Sequence, residues 1–358
     1  MNICILGTRG IPNNYGGFEQ FAQYLSLFLV RKKHEVSVYN SHVHPFQEKI
    51  WKGVNIIHCY EPAYLSTIGQ FVYDFLCILD TRKKKFDIII QLGYTSSSIW
   101  GWLLPKKSIV ITNMDGLEWK RTKYNDSVKK FLLFAERLAI KSSDSIVADS
   151  VGIKEYLDKK YDIKSTFIPY GAEIFNERDE KILSEYNLDL YNYDMLIARM
   201  EPENNIEMIL QGVIKTKARK FIVIGSTENK YGTYIRNKFE SDYIIFLGPV
   251  YNILVLNNLR YFSNLYFHGH SVGGTNPSLL EAMGSNCLIS ANKNIFNQSI
   301  LGEDALYFSN SNEVADSLFK RKKDYLNFIT NNSQKIREIY SHDHVYTQYE
   351  ELLKKICF

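Results

Sequence analysis

The chain lacks the sequence patterns of several kinds of metal-binding, disulfide-bonded and exported proteins. Its five cysteines, at positions 4, 59, 77, 287 and 357, are odd in number and include no C-x-x-C pair, so neither a zinc ribbon nor a disulfide framework is predicted. The opening residues MNICILGTRG show no charged start, apolar stretch and small-residue cleavage site, which a signal peptide would require. We therefore expect reduced thiols, no export and a cytoplasmic location.

Long apolar runs are also missing. The longest charge-free stretch near a spanning length, residues 88–105, is interrupted by glutamine, glycine, threonine and serines, so it is a poor transmembrane candidate. We predict a buried strand that runs into a helix there. With 358 residues, 45% hydrophobic and 23% charged, the chain has the length and composition of about two ordinary globular domains.

The positive charge lies in the first half of the chain. Residues 1–170 carry 23 Lys and Arg against 16 Asp and Glu, whereas residues 171–358 carry 20 against 23. The segment 119–142 has seven basic and two acidic residues with apolar residues among them. This pattern is typical of a helix lying on anionic lipid headgroups, and equally of a solvated helix that packs its apolar face inward. Nucleic acid is not predicted, because no recognised binding motif accompanies the charge.

Short β-rich runs alternate with amphipathic stretches along the whole chain. The runs are NICIL, EVSVY, NIIHC, FDIII, SIVIT, SIVA and STFIP in the first half, and DMLIA, KFIVIG, YIIFLG, LYFHG, CLISA and ALYFS in the second. Helical stretches such as 18–30 and 127–139 separate several of them. This alternation predicts parallel sheets in two Rossmann-like, doubly wound α/β domains that face one another across a cleft, divided near residue 170. Ligands in such folds gather at the carboxyl ends of the strands.

A glycine-rich loop, GTRGIPNNYGGFEQF, follows the first run. Gly7, Gly10, Gly16 and Gly17 would let the backbone approach a ligand, and the helix that follows would aim its N–H groups at it. The spacing is not the dinucleotide fingerprint G-x-G-x-x-G, so nicotinamide binding is not predicted. The alternative is an ordinary strand-to-helix turn.

A second loop, HGHSVGGTNPSLLEAM, follows LYFHG. Gly273 and Gly274 can adopt positive φ, Asn276 is a good N-cap and Pro277 suits the first helical position. Free N–H groups and the positive end of the helix dipole would then converge on a spot that fits a diphosphate. Glu281, one turn further on, could accept hydrogen bonds from the vicinal hydroxyls of a ribose, or simply favour the helix.

Charged residues follow two other runs. Arg199, directly after DMLIA, carries the planar guanidinium suited to bidentate phosphate contact. Asp115 and Glu118, after SIVIT, could orient sugar hydroxyls or take a proton from an acceptor. The alternatives are a surface arginine and an Asp-Gly turn followed by a helix cap.

Two H-x-H pairs occur, His268 with His270 and His342 with His344. Neither has an evident third ligand and the chain contains no D-x-D, so no metal site is predicted. His270 lies beside the second glycine loop, where either a catalytic or a hydrogen-bonded structural role is open.

With these motifs in view, the chain resembles the glycosyltransferase family 4 enzymes of the GT-B fold, and more narrowly their bacterial capsule and O-antigen rhamnosyltransferase branch. The matching pieces are GTRGIPNNYGGFEQF, DGLEWKR, IPYGAE, ARMEPENN, FLGPVY and GHSVGGTNPSLLEAM. The resemblance implies a donor-binding domain at 171–340, an acceptor-side domain at 1–170, and a terminal helix at 341–358 that returns towards the first domain.

The resemblance also implies site residues. Catalytic roles fall to Asp115, Arg199 and His270. The donor-binding residues would be Gly16, Gly17, Arg199, Glu203, Val250, Tyr251, Gly273, Gly274, Thr275, Asn276 and Glu281. The acceptor-binding residues would be Tyr15, Glu118, Trp119, Lys120 and Arg121.

Two positions depart from the family pattern. Gly273 stands where the family commonly has a glutamate, and Asn204 stands where it commonly has a lysine that helps to hold phosphate. The expected reaction is metal-independent, cofactor-free, retaining transfer of a sugar, with dTDP-L-rhamnose as donor and a lipid-linked saccharide as acceptor, at the inner face of the plasma membrane. The alternatives are a UDP-hexose or UDP-N-acetylhexosamine donor, a sugar-nucleotide epimerase, and a non-catalytic sugar-nucleotide-binding subunit.

Overall fold

The computed structural model describes residues 1–14, 16–65, 67–121 and 124–357. The chain divides into two compact units. The first comprises Met1–Trp119, Tyr124–Tyr170 and His342–Phe358, and the second comprises Lys120–Lys123 and Gly171–Ser341. Among the described residues, one sheet of eight strands lies in the first unit and one of six strands in the second.

The first sheet is built from strands in the order β3-β4-β2-β1-β5-β6-β7-β8. Its strands are β1 (Asn2–Leu6), β2 (Glu35–Ser41), β3 (Ile50–Trp51), β4 (Val54–Cys59), β5 (Ile88–Leu92), β6 (Ile109–Asn113), β7 (Ser145–Ala148) and β8 (Thr166–Phe167). The short β3 pairs antiparallel with β4, and the other ladders are parallel. The central strands β1, β5 and β6 are buried along most of their length, as parallel strands covered on both faces must be.

The helices of the first unit follow the apolar periodicity of the sequence. They are α1 (Gly17–Arg31), α2 (Thr67–Thr81), α3 (Asp126–Ser142) and α4 (Val151–Tyr161), with 3₁₀ turns at Ala63–Leu65, Ser97–Leu103 and Glu118–Lys120. The buried residues of α1 include Phe21, Leu25, Phe28 and Leu29, whose spacing puts one apolar stripe against the sheet. Asn125 caps α3 by accepting a hydrogen bond from the Val128 N–H.

The second sheet has the order β11-β10-β9-β12-β13-β14 and is parallel throughout its described ladders. Its strands are β9 (Tyr193–Ile197), β10 (Lys220–Ile224), β11 (Ile244–Gly248), β12 (Leu265–His268), β13 (Ile289–Asn292) and β14 (Leu306–Phe308). The helices are α5 (Ile206–Thr216), α6 (Lys230–Phe239), α7 (Ile253–Phe262), α8 (Pro277–Gly284), α9 (Ile295–Leu301), α10 (Ser311–Ser317) and α11 (Leu326–Lys335). Shorter helical turns lie at Glu180–Tyr186, Pro202–Asn204, Lys322–Tyr325 and Ile336–Tyr340.

The last helix, α12 (His342–Cys357), belongs to the first unit although it follows the second in the chain. Tyr346 and Tyr349 pack their rings on Phe21 of α1, with centroids 5.8 and 5.3 Å apart. The Tyr349 hydroxyl also accepts a hydrogen bond of 2.9 Å from Asn113 at the end of β6. The terminal helix therefore supports the loop that carries Asp115.

The predicted α/β fold class is confirmed, and each of the thirteen predicted β-rich runs contains a strand. The stretch 88–105 begins with β5 as predicted, but the helix after it is the 3₁₀ segment Ser97–Leu103. In the part of the chain that the structure describes, no helix is long and apolar enough to cross a membrane.

Candidate functional site

The predicted donor-binding residues of the second unit lie in loops at one edge of its sheet. Arg199 and Glu203 follow β9, Val250 and Tyr251 follow β11, and the glycine loop follows β12. Because these strands are parallel, their carboxyl ends meet at the same edge. The Tyr251 side chain is 77% exposed there, and Val250 is half-buried.

Neutral side chains tie the loop after β9 together. The Asn204 amide donates to the Arg199 carbonyl at 2.8 Å, and the Asn205 amide donates to the Gly269 carbonyl at 2.8 Å. The Glu203 carbonyl accepts from the Ser271 N–H and hydroxyl at 3.1 and 2.8 Å. Asn204, which replaces the usual lysine, therefore fixes the backbone that carries Arg199.

Gly269 allows these two loops to meet. A Cβ at this position would lie 2.0 Å from the Asn204 carbonyl oxygen, a distance that real carbon atoms do not adopt. Any other residue would push the loop after β12 away from the loop after β9. The glycine is required by this close approach of two backbones.

Arg199 presents its side chain to solvent at this edge. Its guanidinium makes no hydrogen bond or ion pair with any residue that the structure describes. A second cation, Arg121, lies 3.7 Å from Glu201 and 3.8 Å from Glu203 and is counted with the second unit. The Arg199 cation is thus held at its backbone and remains available to an anion.

His268 and His270 stack ring on ring, with centroids 4.4 Å apart and planes 14° apart. Burial, followed by the Arg199 and Arg121 guanidinium groups, lowers the pKa of His270 to about 4. Burial and the His270 ring lower the pKa of His268 well below its ordinary value. Both rings are therefore neutral near pH 7, so His270 is suited to hydrogen bonding rather than to carrying a charge.

Two asparagines that sequence reasoning missed hold His270 in place. The Asn294 and Asn297 side-chain amides each donate to the His270 carbonyl at 3.0 Å. Both amides also donate to the Asn292 carbonyl, at 3.1 and 2.8 Å. The start of α9 is thereby fastened to the loop after β12.

The glycine loop and α8 have the local structure that the sequence predicts. Asn276 is the N-cap, its side chain accepting from the Ser278 N–H at 2.9 Å, and Pro277 is the first helical residue. Gly273 has a φ of +133°, which L side chains rarely adopt, with no atom within 4 Å of where a Cβ would lie. A glutamate at this position would have space but a strained backbone. Gly274, by contrast, does not have positive φ.

Glu281 in α8 makes an ion pair that was not predicted. Its Oε2 accepts from Nη2 of Arg260 in α7 at 2.6 Å. The Arg260 side chain is 1% exposed and also donates to Asn257 at 2.8 Å and to Ser278 at 3.3 Å. Arg260 therefore fixes the Glu281 carboxylate, whose side chain is 17% exposed. The Thr275 residue of the same loop is buried.

In the first unit, Asp115 follows β6 in a left-handed turn with a φ of +48°. Its N–H donates to Asn113 Oδ1 and its Oδ1 accepts from the Tyr170 hydroxyl, both at 3.0 Å. Aspartate tolerates this conformation better than most residues. The carboxylate is half-buried and held in one orientation.

The acceptor residues predicted after Asp115 have different surroundings. The Trp119 indole N–H donates at 3.2 Å to the buried Glu136 carboxylate, which also accepts from Tyr156, Lys160 and Tyr161. Glu118 is half-buried and Lys120 is exposed. Trp119 thus has a structural partner within the first unit.

The first glycine loop is shaped by a buried carboxylate. Glu19 of α1 accepts from the Arg9 N–H at 2.9 Å and from the Thr8 hydroxyl at 3.3 Å. Gly7 needs to be glycine, because its φ is +84° and a Cβ would lie 2.1 Å from the Leu92 carbonyl oxygen. Gly16 is the N-cap position of α1 and Gly17 its first residue. Tyr15, a predicted acceptor residue, lies outside the described residues.

Within the described ranges, no three His, Cys, Asp or Glu side chains are grouped so that they could hold a metal ion. The second H-x-H pair lies at the start of α12, where His342 stacks on Tyr24 at 4.5 Å.

Solved structures align with the chain over almost its full length. Sucrose-phosphate synthase from Thermosynechococcus elongatus gives a TM-score of 0.82 at 14% identity, covering 99% of this chain and 98% of that chain. HepE from Anabaena in complex with UDP and glucose gives a TM-score of 0.76 at 14% identity, covering 99% of this chain and 100% of that chain. The chain has the GT-B fold. At these identities the likeness concerns the GT-B fold and not the activity.

Sequence comparisons match shorter parts of the GT-B chain. A family described as a domain of unknown function, DUF1972, matches residues 104–173, which contain the Asp115 loop. An uncharacterized glycosyltransferase of Bacillus subtilis, YqgM, is 27% identical over 142 residues. That match spans 39% of this chain and 38% of the relative's length.

Proposed function

We propose that the protein is a retaining glycosyltransferase that uses a nucleotide-diphosphate sugar and needs no metal ion or cofactor. The observation that carries the proposal is Arg199, an exposed guanidinium fixed through its backbone at the carboxyl end of β9. It stands at the same sheet edge as the capped start of α8. A fixed cation and a helix N-terminus are suited to bind a diphosphate.

The reaction needs charge stabilisation more than a nucleophile. As the bond between the anomeric carbon and the diphosphate loosens, the sugar approaches an oxocarbenium ion and negative charge grows on the leaving phosphate. A preorganised guanidinium and helix N–H groups stabilise that charge better than water does. The acceptor hydroxyl attacks from the same face and its proton passes to the leaving phosphate, so the configuration is retained.

The remaining residues receive proposed roles around the donor. Glu281, oriented by Arg260, is proposed to bind the ribose hydroxyls, and Val250 and Tyr251 to flank the base. His270, neutral and fixed by two asparagines, is proposed to hydrogen-bond the transferred sugar. Asp115 is proposed to contact the same sugar, and Glu203 the donor.

The two departures from the family pattern are compatible with activity. Asn204 orients Arg199 in place of contributing a cation, and Gly273 leaves backbone N–H groups next to the diphosphate. The proposed acceptor is a lipid-linked saccharide. Its proposed binding residues are Tyr15, Glu118, Trp119, Lys120 and Arg121. The proposed donor is dTDP-L-rhamnose. The alternative is a UDP-sugar, which is favoured by the complexes of HepE with UDP and glucose.

A panel of nucleotide sugars tests the proposal. The melting temperature of the purified chain is measured with dTDP-L-rhamnose, UDP-glucose, UDP-galactose and UDP-N-acetylglucosamine, because a ligand that binds the folded form raises it. Release of the nucleoside diphosphate is then followed with and without a lipid-linked saccharide. Release of dTDP that depends on acceptor supports the proposal. If only a UDP-sugar raises the melting temperature, the alternative donor is favoured. Binding without turnover indicates a non-catalytic subunit, and no stabilisation by any donor contradicts nucleotide-sugar binding.

A further inference from the structure

The first unit carries an exposed tryptophan on the outside of its helical layer. Trp102, in the 3₁₀ segment Ser97–Leu103, is 76% exposed. Its neighbours in the segment point inward, because the Trp100 ring packs on Phe75 with centroids 4.8 Å apart and Leu103 is buried. Leaving a large indole in water is unfavourable unless it meets another surface.

Helix α3 packs on this segment and exposes a second apolar side chain. Gly101 abuts the end of α3, since a Cβ there would lie 2.5 Å from the Ser142 hydroxyl. Phe134, which is 54% exposed, lies on one stripe of α3 with Arg137 and Lys141, because positions three and seven residues apart share a helix face. The apolar residues Leu132, Ala135 and Ala139 of the same helix are buried. Helix α3 thus packs one face inward and exposes a second apolar group among cations.

Basic residues are exposed on the elements that carry Trp102 and Phe134. Lys106 and Lys107 come four and five residues after Trp102 and are exposed, as are Arg137 and Lys141 of α3. Arg82 donates to the Leu103 carbonyl at 3.0 Å, which brings residues 82–85, all exposed, close to the segment that carries Trp102. We call the group Trp102, Lys106, Lys107, Phe134, Arg137 and Lys141 the Trp102 surface.

Acidic side chains nearby do little to neutralise this surface. Glu136 is buried and receives the Lys160 ammonium at 2.8 Å, so it does not reach the exposed stripe of α3. Asp144, at the edge of the surface, accepts from the Val110 N–H at 2.8 Å. The Trp102 surface is therefore both apolar and cationic.

We propose that the Trp102 surface docks the first unit on an anionic lipid bilayer. The proposal deepens the proposed function and rests on its lipid-linked acceptor. Indole and phenyl groups partition into the headgroup region, while lysine and arginine are attracted to anionic lipids. A nucleic acid is disfavoured because no recognised binding motif accompanies the charge. The charge complementarity and the two aromatic groups together fit a lipid surface.

The test is flotation of the full chain with vesicles, first of phosphatidylglycerol and phosphatidylcholine and then of phosphatidylcholine alone. We expect salt-sensitive binding to the anionic vesicles and little binding to the zwitterionic ones. Trp102→Ala should weaken binding several-fold. Lys106→Glu with Lys107→Glu should weaken it more, by roughly fivefold for each cation removed. These residues are exposed, so the melting temperatures should stay close to that of the wild type.

A matched surface of the second unit supplies the control. Phe319 is 67% exposed and lies beside exposed lysines 320 and 323, so Phe319→Ala and Lys320→Glu with Lys323→Glu make the same chemical changes elsewhere. Equal loss of binding in the control variants, or no binding by the wild type, would overturn the proposal. A dimer in size-exclusion chromatography that Trp102→Ala converts to monomer would overturn it too, because the partner would then be a second copy. Since no nucleotide sugar is present, a failure here leaves the donor-binding result unaffected.

Discussion

The two sheets hold the loops at their carboxyl edges with different kinds of groups. In the second unit, neutral amides and a hydroxyl hold the loops after β9 and β12 and the start of α9, from Asn204, Asn205, Ser271, Asn294 and Asn297. In the first unit, carboxylates hold the loops together with amides such as Asn113, which accepts from the Asp115 N–H. Glu19 accepts from Thr8 and Arg9, and Asp115 accepts from Tyr170.

The groups that hold a loop in place can therefore be different from the groups that we propose to contact a ligand. Where neutral groups satisfy the backbone, a charged side chain such as Arg199 can stay exposed without leaving its loop loose. Where a carboxylate already accepts hydrogen bonds from the protein, its orientation is set but its capacity for a ligand is reduced. The Arg260–Glu281 pair of the second unit differs from these amides, because there a buried charge holds a proposed ligand-binding residue.

The largest effect is expected from removing the buried partner of Glu281. Arg260→Met would leave the Glu281 carboxylate without its buried partner, which costs about 3–5 kcal/mol of unfolding free energy. Arg236→Met is the matched control, because Arg236 forms an exposed pair with Glu240 at 3.0 Å and such pairs are worth about 0.5 kcal/mol. Urea denaturation measures both. Similar losses of unfolding free energy in the two variants would show that the buried pair contributes no more to stability than the exposed one.

The next effect concerns turnover rather than stability. Arg199→Ala should lower kcat by about 10²–10³-fold, the loss typical of removing one preorganised group that stabilises transition-state charge. Its melting temperature should be unchanged, because the loop is held by amides and not by the guanidinium. Arg337→Ala, an exposed arginine of the same unit, should leave kcat at the wild-type value. Full activity of the Arg199 variant would contradict the proposed role.

His270 and Asp74 should make the stability of the protein depend on pH with opposite signs. The folded pKa of His270 is about 4, below its unfolded value, so the unfolded chain binds the proton first and stability falls as pH drops from about 6.5 towards 4. Burial raises the pKa of Asp74 in the first unit to about 6, above its unfolded value, so this carboxyl adds stability as pH falls through 6.

Two variants isolate these contributions in urea denaturation at pH 7 and pH 5. Relative to His270→Asn, the wild type should lose about 1–2 kcal/mol between the two pH values. Relative to Asp74→Asn, it should gain about 1 kcal/mol. A difference that does not change with pH would contradict the shifted pKa of the group concerned, and two changes of the same sign would contradict the direction of one shift.

Much of the fold could be predicted from the sequence because its signals are local. Buried parallel strands are continuous apolar runs, and α1 and α3 begin and end within a few residues of the predicted stretches 18–30 and 127–139. The two-residue β3 gave no periodic signal. The segment after β5 became a 3₁₀ helix where Gly101 packs tightly on Ser142, a tertiary contact that periodicity does not report.

The candidate site, too, could be predicted from the sequence only where its features are local. The Asn276 cap and Pro277 were predicted because capping depends on neighbours in sequence. Other contacts join residues 21 to 27 positions apart, namely Arg260 with Glu281, and Asn294 and Asn297 with His270. No local sequence pattern predicts them. The available signal was an arginine within the largely apolar stretch ILVLNNLRYF before the glycine loop, since an arginine that is buried needs a partner. The ligand roles of all these residues stay predictions.

The smallest expected effect tests how the first unit holds Asp115. Tyr170 is buried, with its ring edge-on to Phe21 at 5.5 Å, and its hydroxyl donates to Asp115 at 3.0 Å. Tyr170→Phe keeps the ring contact and removes that donor, which should cost about 1 kcal/mol of stability in urea denaturation. Tyr340→Phe is the control, because Tyr340 is also buried but lies in the second unit. If Asp115 contacts the transferred sugar, the Tyr170 variant should also lower kcat several-fold, because the carboxylate loses its fixed orientation. An unchanged kcat with the expected loss of stability would assign the Asp115 carboxylate to the turn after β6 and not to the reaction.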